Sequence, residues 1–316
     1  MCTIGVDLGG TNIAVGVVEA PLKILGKASV KTGLPATNEE ICQRIIKAIE
    51  LALSNSDKTL DDIEYVGIGS PGAVDNKNGV VISASNLKFR EFPLSKAVSE
   101  ALEKPVYLEN DANAAALGEY IASGVSEEEN SLIAVTLGTG IGGGIIIDGK
   151  LYCGHKFSGG ELGHMVINAH GEKCACGRRG CFEAYASVSA LIEQTIHSML
   201  KNKDSKMWQA AGGSLDNVNG KTAFDALRLG DEAAAEVVDT YADWVAIGIV
   251  NLINTFGPSV ICISGGISKE GETLLGPIRE HIRLNHPVNC QTEIRAAVLN
   301  NDAGIIGAAN LLRFGQ

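Results

Sequence analysis

The sequence predicts an α/β protein built as two lobes, and three observations carry that expectation. At 316 residues the chain is long enough for two domains of roughly 100 to 200 residues each. A strand, glycine turn, strand pattern opens at Thr3 and returns at Leu132. Around these repeats, short apolar strands alternate with amphipathic helices, the pattern of an α/β layer structure.

Thr3 to Glu19 reads as an apolar strand, the turn Asp7-Leu8-Gly9-Gly10-Thr11, and a second apolar run from Ile13 to Val18, together a β-hairpin. Asn38 to Leu53 places Ile41, Ile45, Ile46 and Ile49 at helical spacing. Tyr65 to Gly69 and Val106 to Leu108 are short buried strands separated by a helix from Pro93 to Glu103, and an alanine-rich helix runs from Asp111 to about Ser123. Leu132 to Leu137 is again a strand, Gly138-Thr139-Gly140 its turn, and Gly144 to Ile147 resumes the strand before Asp148-Gly149. Two halves that open alike point to an internal duplication. Val188 to Leu200 and Asp231 to Phe256 read as helices, the second ended by Gly257-Pro258. Val260 to Ile263 is a strand leading into Ser264-Gly265-Gly266-Ile267. Lys201 to Gly220 is polar, contains glycine and reads as loop, and a helix from Asp302 to Phe314 is expected to pack back on the first lobe. The expected division is a small lobe of residues 1–120 with 303–316 and a large lobe of 121–302, hinged around Tyr120 to Ser131.

Composition narrows the function classes. With 45% hydrophobic and 20% charged residues the chain is a folded globular protein, not a disordered one. A formal charge of -11, from 37 acidic against 26 basic residues with no local basic patch, argues against nucleic acid and anionic membranes as partners. The uncharged stretches Asn130 to Ile147 and Trp244 to Ser268 are broken by glycines or by Asn251, Asn254, Gly257 and Pro258, poor material for a spanning helix. Met1-Cys2-Thr3-Ile4 lacks the basic start of a signal peptide, so a cytoplasmic location is expected. The eight cysteines are then thiols or metal ligands before disulfides. Cys2, Cys42, Cys153, Cys262 and Cys290 are scattered, while Cys174, Cys176 and Cys181 are clustered.

Backbone N–H groups can approach anionic oxygens only where no side chain intervenes, so phosphate sites favour glycine. Gly9-Gly10-Thr11, Gly138-Thr139-Gly140 and Gly265-Gly266 each follow an apolar strand. A glycine after a strand is more often only a turn, and it is the threefold recurrence that counts. Gly138, Gly140 and Gly143 also satisfy a dinucleotide fingerprint, but that fingerprint must lead into a helix and here a strand follows. Gly220-Lys221-Thr222 ends like a phosphate-binding P-loop, yet Leu215 stands where that loop needs glycine, and Thr222 reads as the N-cap of a helix from Ala223 to Leu229.

Asp7 to Thr11, Leu137 to Gly144 and Ser264 to Ile267 resemble the two phosphate segments and the adenosine segment of the actin-like ATPase superfamily. The resemblance implies a ribonuclease-H-like core repeated in two lobes flanking a nucleotide and sugar cleft. ATP would be held by Gly9, Gly10, Thr11, Asn12, Gly138, Thr139, Gly140, Gly265 and Gly266, with Asp7 orienting its Mg²⁺.

Cys174-Ala175-Cys176-Gly177-Arg178-Arg179-Gly180-Cys181 offers three thiols in one glycine-bent loop with His164 shortly upstream, the donor set of a closed, tetrahedral, structural Zn²⁺ site. Together with Gly159-Gly160-Glu161-Leu162-Gly163-His164 and Glu183, this loop resembles the signature of the ROK family, and the resemblance runs over essentially the whole chain. It is most similar to the family's zinc-containing, glucose-phosphorylating bacterial members. That implies an ATP-dependent hexose kinase with glucose the favoured acceptor, working as a homodimer. The family's sugar contacts fall on Asn86, Asn110, Asp111, Glu161, His164 and Glu183, with His164 joining metal to sugar and Asp111 as the general base. From the residues alone, Asp111 reads equally as the N-cap of the helix it opens, whose N-terminus would keep its carboxylate ionised. Fructose, mannose, allose or an N-acetylhexosamine as acceptor, and ADP or polyphosphate as donor, stay open. A sugar-sensing repressor of the same family would carry a DNA-reading segment before the first strand, which here begins at Thr3.

Overall fold

The computed structural model describes residues 2–124, 130–285 and 291–314, so Cys290 and residues 125–129 of the expected hinge lie outside the described residues. The opening hairpin forms as the glycine turn requires: β1 (Cys2–Leu8) pairs antiparallel with β2 (Asn12–Glu19), Asp7 opposite Ala14. β3 (Lys23–Lys31), whose alternating exposed and buried residues mark an edge strand, extends it. β4 (Ile63–Ser70) then joins β1 in parallel. A small antiparallel sheet of β5 (Ala73–Asp75), β6 (Val80–Ala84) and β7 (Phe89–Phe92) follows before β8 (Val106–Asn110) pairs in parallel with β4. The first five-stranded sheet therefore runs β3-β2-β1-β4-β8.

The second half repeats this plan. β9 (Leu132–Leu137), β10 (Ile141–Ile147) and β11 (Lys150–Leu151) are followed by β12 (Val260–Ser264) and β13 (Glu293–Ala296), in the order β11-β10-β9-β12-β13. Each sheet thus has a hairpin and its extension on one side of the opening strand and two later strands on the other, which bears out the duplication.

The helices close these sheets where the periodicity placed them. Thr37 and Glu40 form a reciprocal capping box on Asn38–Ser54, and Gly257, at φ 52°, ends Glu232–Phe256 in the left-handed conformation. The C-terminal helix Ala303–Ala309 packs back on the first sheet so closely that a Cβ on Gly67 would sit 1.8 Å from the Ala308 carbonyl oxygen. It ends at Ala309 and is separated by the single residue Asn310 from the short helix Leu311–Phe314. Lys201 to Gly220 is not plain loop. It holds the short helix Met207–Ala210 and the 3₁₀ turn Leu215–Asn217, organised by Asp231, which accepts from the Ser205 hydroxyl (3.0 Å) and the Lys206 N–H (2.6 Å). Thr222 is the first residue of its helix rather than a cap, and its hydroxyl accepts from the Asn219 N–H (3.0 Å).

The chain divides into two compact units, residues 1–133, 144–160 and 298–316 in the first and 134–143 with 161–297 in the second. The first thus takes in 121–133, 144–160 and 298–302 beyond the stretches expected for the small lobe. Among the described residues no helix is long and apolar enough to cross a membrane.

Candidate functional site

In the first unit, β1 delivers Asp7 and the turn that follows it, while β8 delivers Asn110 and the helix Asp111–Ala122. Asn110, not Asp111, is the N-cap: its Oδ1 accepts from the N–H groups of Ala112 (2.9 Å) and Asn113 (3.2 Å), and its Nδ2 donates to the Gly72 carbonyl (3.0 Å). The Asn110 side chain also hydrogen-bonds the Asp111 carboxylate. Asp111, relieved of capping, spends Oδ1 on the Ala112 N–H (2.9 Å). Burial raises its pKa and outweighs the helix-terminal amides that lower it, so the carboxylate is a stronger base than the helix N-terminus alone would make it. Asp7 is raised to about 6, first by burial and then by the Asp111 charge, with Lys27 opposing.

Beneath this pair lies Glu109, a mid-strand acid only 3% exposed. Its Oε1 accepts from the Asn110 N–H (2.8 Å) and Asn113 Nδ2 (3.0 Å), and its Oε2 from Asn76 Nδ2 (2.8 Å). Cys153 Sγ stands 3.7 Å from the same Oε2, and burial, with the neighbouring carboxylate, pushes that thiol up to about 12. The strand read from the sequence, Val106 to Leu108, stops short of Glu109; the structure extends it to Asn110 and so buries this acid. The Gly9–Asn12 turn is closed by Gly9 N–H to the Asn12 carbonyl (2.9 Å) and by the Thr32 hydroxyl to the Gly9 carbonyl (2.6 Å). Asn86, from the segment between β6 and β7, lies over Gly10, where an added Cβ would come within 3.2 Å of its Nδ2.

In the second unit the 3₁₀ turn Leu162–His164 presents His164 to the cysteine loop, and Glu161 stands exposed just before it. The loop closes on itself through the bridges Val166 to Cys181 and Lys173 to Arg179, with Gly177 at φ 90° and Gly180 at φ 77° making bends that other residues resist. His164 Nδ1 is 3.8 Å from Cys174 Sγ, and Cys176 Sγ is 3.6 Å from Cys181 Sγ, too far for a disulfide. All four donor atoms lie within 4.8 Å of one another. A tetrahedron with Zn–S and Zn–N bonds of ordinary length has edges of about 3.3 to 3.8 Å, so a small contraction would seat the ion. Arg178 hydrogen bonds lower exposed Cys176 to about 6, while burial pushes Cys181 up to about 12.

Glu183 opens the short helix Glu183–Ala186 just beyond Cys181. Its Oε2 accepts from the Ile141 N–H (2.9 Å) and its Oε1 lies 3.9 Å from Cys174 Sγ. The Gly138–Gly140 turn is held by the Gly138 N–H to the Gly140 carbonyl (3.0 Å) and by the Val188 N–H to the Gly138 carbonyl (2.8 Å). The Thr136 and Ser264 hydroxyls, 2.8 Å apart, link β9 to the end of β12. There Gly265, at φ 97°, passes so close to the Leu137 carbonyl that a Cβ would lie 2.1 Å from its oxygen.

Between these turns is a cavity of about 320 Å³. Leu137, Gly138, Thr139, Gly266 and Ile267 line it as expected, but so do Val188, Asn219, Gly220, Lys221 and Glu270. The Gly220-Lys221 pair, rejected on sequence as a P-loop, belongs to the cavity by a different route, at the entry to the helix Thr222–Arg228. Glu270, its side chain 5% exposed, is ion-paired with Arg228.

The ROK family model matches residues 3–314. The chain is 40% identical to a glucokinase of Thermotoga maritima over 313 residues, 98% of this chain and 96% of that one. It is similar to the crystal structure of a ROK family glucokinase from Streptomyces griseus in complex with glucose and AMPPNP, with TM-score 0.81, 38% identity and coverage of 98% and 99%. It is also similar to a ROK hexokinase from Thermus thermophilus, with TM-score 0.78, 32% identity and coverage of 98% and 97%.

Proposed function

The chain belongs to the ROK family, and on that premise we propose that it is an ATP-dependent glucokinase, moving the γ-phosphoryl group of ATP to the 6-hydroxyl of glucose. The observation that carries the chemistry is Asp111: a half-buried carboxylate freed from capping by Asn110, with Oδ1 held by the Ala112 N–H and its proton affinity raised by desolvation.

Phosphoryl transfer asks a protein mainly for positioning and electrostatics, with a base to take the proton of the attacking hydroxyl. Asp111 Oδ2 takes that proton, and its raised affinity for protons makes it better matched to an alcohol than an exposed aspartate. In the first unit Asn86 and Asn110 hold sugar hydroxyls, and the Gly10 and Thr11 amides hold phosphate oxygens, the Gly9 N–H being spent on closing the turn. In the second unit Glu161, His164 and Glu183 hold hydroxyls, Gly138–Gly140 holds phosphate, and the 320 Å³ cavity beside Gly265 and Gly266 receives the nucleoside. That cavity supports ATP over polyphosphate as donor, because polyphosphate has nothing to place there. Mg²⁺, oriented by Asp7, would neutralise charge on the phosphates. Zn²⁺, held by His164, Cys174, Cys176 and Cys181, would fix the ring of His164 toward the sugar. Homodimerisation, expected of the family, is part of the same reading and is checked by sedimentation.

Asp111→Asn is expected to lower kcat about 10²- to 10⁴-fold while glucose still binds within a few-fold of wild type by calorimetry. Turnover near wild type would remove Asp111 as the base.

A further inference from the structure

From Cys181 to Ser189 the chain runs out of the metal loop and directly along the Gly138–Ile141 turn. Within that stretch three groups grip the turn: Glu183 Oε2 accepts from the Ile141 N–H (2.9 Å), the Val188 N–H donates to the Gly138 carbonyl (2.8 Å), and the Ser189 hydroxyl donates to the Thr139 carbonyl (2.8 Å). Only the first comes from a carboxyl group, which can accept with either oxygen. The fit is close: a Cβ on Gly140 would lie 2.3 Å from Glu183 Oε2. Behind Glu183, Cys181 and Phe182 are buried, and Tyr185 on the same short helix accepts from the Glu172 N–H (2.6 Å), pinning that helix to the cysteine loop.

We infer that Glu183 is a positioning residue for the donor nucleotide, its Oε2 fixing the Gly138–Ile141 turn while Oε1 faces Cys174 Sγ. One carboxylate then ties the metal loop to the donor side of the reaction, a role separate from its place among the sugar contacts. Fixing the Ile141 amide holds the neighbouring turn in the shape that presents its other N–H groups to phosphate. The inference rests on the nucleotide reading of that turn.

The test is calorimetric titration of Mg·ADP into zinc-replete protein with no sugar present, which silences the sugar role. Glu183→Ala is expected to weaken ADP about tenfold, and Glu183→Gln to recover most of the loss, because an amide oxygen still accepts from Ile141. Gly140→Ala, which keeps every metal ligand but sets a methyl 2.3 Å from Glu183 Oε2 and so pushes that carboxyl off the Ile141 N–H, is expected to weaken ADP as Glu183→Ala does, with zinc content unchanged. ADP affinity within twofold of wild type in Glu183→Ala or in Gly140→Ala would overturn the inference and leave the kinase reading standing. Wild-type protein that does not bind ADP would overturn both.

Discussion

In the metal loop, four donors converge from one continuous stretch between His164 and Cys181, whereas Asp7 and Asp111 meet only because β1, β4 and β8 lie side by side in one sheet. The loop is built by local turns: Gly177 and Gly180 bend it, and short bridges tie its ends. The carboxylate pair is built by tertiary packing, and the packing leaves its mark in proton affinities raised by burial. A site of the first kind would stand on the metal its four donors can hold, and with metal bound it should fail when the metal is taken away. One of the second kind stands on the fold and strains against it, since two acids are held where their charges repel.

The largest effect that could break this comparison comes from the loop. Cys181→Ala, or prolonged chelation of wild type, is expected to remove zinc and weaken glucose binding at least ~10-fold, with the Asp7–Asp111 side of the fold intact. Metal analysis and calorimetry on the same sample check it, and unchanged glucose affinity in metal-free protein would detach the loop from the sugar.

A smaller effect is expected beneath the carboxylate pair. Oε1 of Glu109 accepts two N–H groups and Oε2 accepts from Asn76 Nδ2, so Glu109→Gln either sets its NH₂ against that of Asn76 or forces Asn76 to turn its amide over. That should cost about 1 to 3 kcal/mol of stability, read by denaturant unfolding, without loss of zinc. A variant as stable as wild type would show that the support of Asp111 lies elsewhere.

The smallest expected effect concerns Asp7. Its folded pKa, about 6, lies above the ordinary carboxylate value of 3.8, so the native state binds a proton more tightly than the unfolded chain. Stability from this group is present below pH 3.8 and lost as pH rises through 6. Asp7→Asn should therefore melt a few degrees above wild type at pH 7.5 without Mg²⁺, with little difference at pH 4, even as its turnover falls. An unchanged melting point at both pH values would mean that Asp7 is not strained.

The same difference explains what could be read from the chain. The cysteine loop was legible residue by residue, because spacing alone encodes a locally closed site. The duplicated sheets were legible because each hairpin turns on glycine between apolar runs, and the sheet order repeats accordingly. Glu109 and Cys153 were not legible as a pair, since only the fold brings them together. The cap on the base helix was misplaced by one residue, as Asn110 and Asp111 are both good caps and only geometry chooses between them. Gly220 and Lys221 fail the P-loop pattern, yet they line the cavity from the entry to the helix Thr222–Arg228, far along the chain from Gly138. β3, the small sheet of β5 to β7 and β13 are short or half-exposed strands whose alternation is weak without their neighbours.

The measurement that bears most directly on the central reading is kcat/KM across a panel of hexoses with ATP and with polyphosphate, read by appearance of the sugar 6-phosphate. The expected result is turnover with ATP, highest for glucose, and none with polyphosphate alone. A sugar that binds without any phosphorylated product, from any donor, would contradict the assignment of this chain as a kinase.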